Sequence, residues 1–164
     1  MSFDLADLKS AIGASETARD LASARLDAEF RATFDGHLAP LAAEETPLGF
    51  HWCLAPPLAP QSSLGEDGHA LGGGLLPPLP KLRRMWAGSE LEFHAPLPVG
   101  ADVTRRTTVE DIAEKQGSAS QLLFVTLRHD FETSGGLAVR ETQTLVYREP
   151  APACLLYTSP SPRD

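Results

Sequence analysis

The chain has 164 residues, enough for one domain of ordinary size, with 42% hydrophobic and 22% charged residues, so a core can form and global disorder is excluded. Fourteen Lys+Arg against 22 Asp+Glu give a formal net charge of -8, which argues against non-specific nucleic-acid binding and against adhesion to an anionic membrane surface. No apolar run approaches the ~20 residues of a transmembrane helix, the N-terminus carries no secretory pattern, and two cysteines make no disulfide framework, so a cytoplasmic location is expected.

In chain order, residues 4–12 place Leu5, Leu8 and Ile12 at helical spacing behind a capping Asp4, which predicts a short helix. The Ala-rich stretch 16–34 predicts a second helix with Leu21, Ala24, Ala28, Phe30 and Phe34 on its buried side and Gly36 as its stop. LGFHWCLA, 48–55, reads as a strand closed by Pro56 and Pro57. Residues 56–82 are rich in proline and glycine and predict a long loop, of the sort that is often functional. From Arg84 the pattern alternates. Four strands are expected, near 84–95, 101–115, 122–132 and 137–149, joined by turns in a meander. Leu123, Val125, Leu127 and Phe131 share one face of the third of these, with His129 among them. Helices followed by strands give an α+β fold, most economically a curved antiparallel sheet wrapped round one helix, 16–34.

The chemistry begins with exclusions. No H-x-x-x-H, C-x-x-C or H-E-x-x-H spacing exists, so no metal site is expected. Gly72-Gly73-Gly74 lacks the Lys-Ser/Thr and the helix of a phosphate loop, and there is no G-x-S-x-G serine elbow. His51 and Cys53, two apart on an expected strand, would share a face and admit a Cys–His nucleophile, although a buried thiol is the commoner role. The segment LPPLPKLRRMWAG, 76–88, stands out. It concentrates Lys81, Arg83 and Arg84 in an acidic chain and sets Met85 and Trp86 beside them. Guanidinium forks bind phosphate bidentately, and an aromatic ring can face an adenine or a thioester chain. Arg83, Arg84, Met85 and Trp86 are therefore the candidate binding residues, and alternation puts Arg84 on the Trp86 side.

LGFHWCLAPP, LGEDGH, GGGLLPPLPKLRRMWAG, ELEFHAPLPVGADVTRRTTVEDIAEKQG, LLFVTLRHDFE and RETQTLVYRE, in that order, resemble the N-terminal half of MaoC-like hydratase/dehydratases over residues 5–149. The group they resemble most is that of the mesaconyl-C4-CoA hydratase-like proteins, allied to type-2 hydroxyacyl-thioester dehydratases. The resemblance implies a hot-dog fold and reversible addition of water to a 2-enoyl-CoA. It also implies a second hot-dog unit, in the same chain or another, carrying the catalytic Asp and His in a motif such as G-D-x-N-P-x-H. LGEDGH offers Asp67 and His69 without the Asn-Pro, and RHD at 128–130 lies in an expected strand, so no catalytic residue is assigned.

Residues 150–164 break the pattern, and 154–164, CLLYTSPSPRD, resemble one translated frame of a transposase-library sequencing adapter; they are set aside from fold reasoning, and the natural gene is expected to continue past Ala153. The expected partners are an acyl-CoA thioester and the second hot-dog unit, with no nucleic acid and no membrane. Coenzyme A is part of the substrate, so no cofactor is expected. The alternatives are a stand-alone homodimeric hot-dog thioesterase or dehydratase working through His69 or His129, and a non-catalytic thioester-binding subunit.

Overall fold

Local chemistry sets the N-terminal elements. The computed structural model describes residues 4–42, 44–65, 68–70, 74–77, 79, 82–116 and 121–149. Helix α1 (Leu5–Lys9) starts where Asp4 accepts a hydrogen bond from the Ala6 amide at 2.9 Å, and it buries Leu8. The helix expected over 16–34 is instead two elements. Strand β1 (Ser15–Leu21) pairs antiparallel with strand β3 (Asp102–Gln116), from Ser15 opposite Thr108 to Leu21 opposite Asp102. Helix α2 (Ala24–Thr33) begins only after Ser23, whose hydroxyl accepts from the Leu26 amide at 3.2 Å. Helix propensity is a weak prior, and a row of sheet hydrogen bonds outweighs it here. Leu21 and Phe34, expected on the buried side, are exposed, and Leu26 and Phe30 make the packing contacts.

The strand expected at 48–55 is a 3-10 turn, Phe50–Cys53. Gly49 enters it at φ +90°, which a glycine adopts freely. The amides of Phe50, Trp52 and Leu54 then donate to the carbonyls of Pro47, Gly49 and His51. Residues two apart no longer share a face, so His51 and Cys53 do not form the expected pair.

The remaining strands are β2 (Arg83–Phe93), β3 (Asp102–Gln116), β4 (Gln121–Thr133) and β5 (Gly136–Arg148). The sheet order is β1-β3-β4-β5-β2. Thus β3, β4 and β5 make the expected meander, but β2 does not lie beside β3. It pairs with the far edge of β5, because β1 already occupies the open edge of β3. Register shifts break the ladders between Trp86 and Gly88 and between Val109 and Asp111.

The inner face carries two hydrophobic clusters. One joins Phe50, Leu54, Ala22 and Leu97 to Val103, Phe131, Ala138 and Val139, with Leu26 and Phe30 of α2 packed on it. The other joins Leu8 of α1 to Val109, Ile112, Leu123, Val125, Leu145 and Tyr147. Each fully buried large side chain contributes about 1.5–3 kcal/mol. A polar row crosses the sheet between the clusters: Glu16 opposite Thr107, Thr107 opposite His129, and His129 opposite Glu141. That row is where the chemistry concentrates.

Candidate functional site

Glu141 is the hub of the row. It is 3% exposed, although alternation along β5 gives it only Val139 and Gln143 as same-face neighbours. Its Oε2 accepts from the Trp52 indole N–H at 3.0 Å, and its Oε1 accepts from the Ser89 hydroxyl at 2.5 Å. One carboxylate therefore ties the 3-10 turn and the edge strand β2 to the middle of the sheet. Trp86 joins the same network, its indole N–H donating to Ser89 Oγ at 3.1 Å.

Two imidazoles flank Glu141. His51 is 2% exposed, with Nε2 at 3.9 Å from Glu141 Oε2 and without a hydrogen-bond partner. Its ring sits among Trp52, Phe93 and Phe131, at centroid distances of 5.0, 6.1 and 5.1 Å. His129 Nδ1 lies 2.9 Å from the Thr107 hydroxyl. Burial pushes both imidazoles below the usual histidine range, against the pull of Glu141; the neighbouring His129 adds to the effect on His51, and Arg105 to that on His129. Both are neutral imidazoles near pH 7. Burial also raises the Cys53 thiol, which makes it a poor nucleophile. Among the described residues no group of three His, Cys, Asp or Glu side chains is placed to hold a metal.

A cavity of about 260 Å³ opens beside His51, between Leu41, residues 45–48 and the end of β2. Its walls include Leu48, Phe93, Leu97 and Val139, with Glu45, Thr46 and His94 as further polar groups.

The register distributes the four candidate binding residues over both faces. Arg84 lies opposite Tyr147 and Trp86 opposite Leu145, which places them on the inner face. Arg83 and Met85, opposite Arg148 and Val146, lie on the other. All four are exposed, and Trp86 is the one that the hydrogen bonds bring into the Glu141 network. His69 lies in a loop closed by a bridge between Leu64 and Ala70, while Asp67 and Lys81 are outside the described residues. Nothing in the local sequence around Glu141 names the partners that face it. The missing element was the 3-10 turn, hidden in a stretch that reads as a strand.

The antiparallel sheet enclosing short helical elements is the hot-dog fold. The MaoC-like dehydratase from Rhodospirillum rubrum superposes with a TM-score of 0.52, covering 86% of this chain and 94% of that one at 20% identity. A chain of the ChsH1–ChsH2 complex from Mycobacterium tuberculosis gives a TM-score of 0.56, covering 91% of each chain at 14% identity. At these identities the likeness establishes the fold. Residues 49–163 match the family model of hydroxyacyl-thioester dehydratase type 2, and the chain belongs to that family. Mesaconyl-C(4)-CoA hydratase from Chloroflexus aurantiacus is 41% identical over 112 residues, which are 68% of this chain and 40% of that protein. The chain thus spans well under half the length of that relative.

Proposed function

We propose that this chain is one hot-dog unit of an acyl-CoA hydratase/dehydratase, adding water reversibly across the double bond of a 2-enoyl-CoA, and that it encloses the substrate while a second unit supplies the acid and base. The observation that carries this reading is the commitment of Glu141. A general acid or base must come within about 2.6–3.2 Å of the proton it moves. Each oxygen of Glu141 already accepts a hydrogen bond, from Trp52 or from Ser89, and His129 Nδ1 is engaged with Thr107. The cluster builds a wall. The cavity beside it is the acyl end of that wall, and Arg84 with Trp86 form the coenzyme end, where a guanidinium meets phosphate and an indole faces the adenine or the pantetheine arm. The thioester carbonyl takes up the charge that develops as water adds, so this reading calls for no cofactor beyond the coenzyme A of the substrate.

The second unit docks along β2. This strand pairs with β5 on one side only, and Met85, Trp86 and Phe93 stand exposed on it. An edge strand of eleven residues with apolar side chains invites another strand. One observation favours the second reading, a stand-alone homodimer. Pairing β2 with a two-fold copy about Ala87 and Gly88 sets Arg83 opposite Glu92, so the edge is self-complementary in charge.

The test is hydration of crotonyl-CoA by the chain alone and in the presence of a separately produced hot-dog unit bearing a G-D-x-N-P-x-H motif. The proposal expects no turnover alone and turnover in the mixture. Turnover by the chain alone, abolished by His129→Ala, favours the homodimer.

A further inference from the structure

We propose that the cavity beside His51 admits short, uncharged acyl groups and turns away acyl groups that end in a carboxylate. This rests on the thioester reading above and narrows it to a substrate class.

The size comes first. About 260 Å³ lies below the ~300–1,000 Å³ of pockets that take drug-sized ligands, and suits a chain of a few carbons. The walls come second. Leu48, Phe93, Leu97 and Val139 offer apolar contact, and Leu48 and Phe93 are exposed where the cavity opens. A methyl terminus leaves water at a gain there.

Charge decides the rest. Among the described residues no Lys or Arg lines the cavity. The nearby cation, Arg31, is committed: its Nε donates to Asp27 at 2.8 Å and its NH2 group to the backbone carbonyl of Glu45 at 2.6 Å. Thr46 already donates its hydroxyl to the Leu97 carbonyl at 3.0 Å. His94, on the exposed side, faces Glu92 at 3.3 Å. His51 is a buried neutral imidazole with the Glu141 carboxylate directly behind it, and Glu45 stands in the wall itself. An acyl carboxylate placed here gives up its hydration, meets no free cation among the described residues, and faces two like charges. Discrimination of this kind works by building the wrong partner an unfavourable site. A mesaconyl group joined to coenzyme A keeps one free carboxylate, so the inference separates the acyl group this chain takes from the one in the name of its Chloroflexus relative.

The experiment is titration calorimetry of the full chain with three ligands: free coenzyme A, butyryl-CoA, and succinyl-CoA, which has the same four acyl carbons but ends in a carboxylate. Butyryl-CoA is expected to bind at least about tenfold more tightly than succinyl-CoA, and succinyl-CoA no more tightly than coenzyme A. Leu41→Trp fills the cavity from its loop and is expected to erase the butyryl advantage; Glu45→Gln removes one like charge and is expected to narrow the gap from the succinyl side. Equal or tighter binding of succinyl-CoA overturns the proposal, as does a butyryl advantage that survives Leu41→Trp. Both esters binding equally and more tightly than coenzyme A sinks only this inference. Failure of all three ligands to bind sinks the thioester reading and this inference with it.

Discussion

Replacing Glu141 by Ala removes the acceptor of two hydrogen bonds at once. A hydrogen bond to a charged group contributes about 1.5–3 kcal/mol. Two of them set an upper bound of about 6 kcal/mol. The freed donors recover part of this, because Trp52 is 57% exposed and Ser89 is half-buried, so water reaches both. The buried carboxylate also carries a desolvation cost that its removal relieves. A net loss of about 2–3 kcal/mol remains, or about 4–12 °C in melting temperature at ~2–4 °C per kcal/mol for a chain of this size. Glu141→Gln keeps one oxygen for the Trp52 indole and is expected to lose about half as much. Urea unfolding followed by far-UV circular dichroism measures this without relying on Trp52 itself. Ser89→Ala provides the control: its cost is expected to fall in the Glu141→Ala background, since residues in one network couple by about 0.5–3 kcal/mol. An unchanged or raised midpoint in Glu141→Ala refutes the reasoning, because the carboxylate then costs as much to bury as its two bonds return.

Acid destabilisation is expected from His51 and His129. Burial holds both below their unfolded values, so the unfolded chain binds their protons more readily; their contribution is fully present above about pH 6.5 and is lost as pH falls below it, by up to about 1.4 kcal/mol per pH unit for each. His129→Gln should flatten the stability profile below that pH, and a wild-type profile flat down to pH 5 counts against the assignment. Arg84→Ala is expected to weaken coenzyme A ester binding by about 1.5–3 kcal/mol, the worth of a hydrogen bond to a charged group, and Arg83→Ala by much less, since the register puts only Arg84 on the Trp86 face; calorimetry showing equal, negligible effects removes this segment from the site. Truncation after Glu149 is expected to leave the melting temperature unchanged within error. The family match extends to residue 163, and a loss of several degrees on truncation would give those residues a structural role.

Much of this fold was legible in the sequence, and the misses have identifiable causes. The strands from Arg83 onward follow period-two alternation, which survives because one face must be buried, and their bounds lie within two residues of the expectation at every end. Helix α1 was legible through its capping Asp4. The stretch 16–34 misled because Ala content speaks only to local preference, whereas β1 is held by long-range pairing with β3. The placement of β2 beside β5 is likewise a tertiary fact with no local signal. The candidate site was partly legible. Trp86, singled out by composition, lies in the Glu141 network, and Arg84 shares its face of the strand. Glu141 was not legible, because a carboxylate alternating with Val139 and Gln143 reads the same whether it faces water or an indole and a hydroxyl. Its meaning depends on Trp52 and Ser89, 89 and 52 residues away in the chain.

The division of labour between two units is tested most directly by turnover in the reconstituted assembly with crotonyl-CoA as substrate. His129→Ala in this chain, compared with the unaltered chain at saturating substrate and equal folded protein, isolates the claim that the acid and base come from elsewhere. General acid–base groups contribute about 10²–10⁴-fold. If this chain only encloses the substrate, kcat should stay within about threefold of the unaltered value, the change appearing in KM and in stability instead. A fall in kcat of about a hundredfold or more, with the assembly intact, would place the catalytic base in this chain and contradict the account.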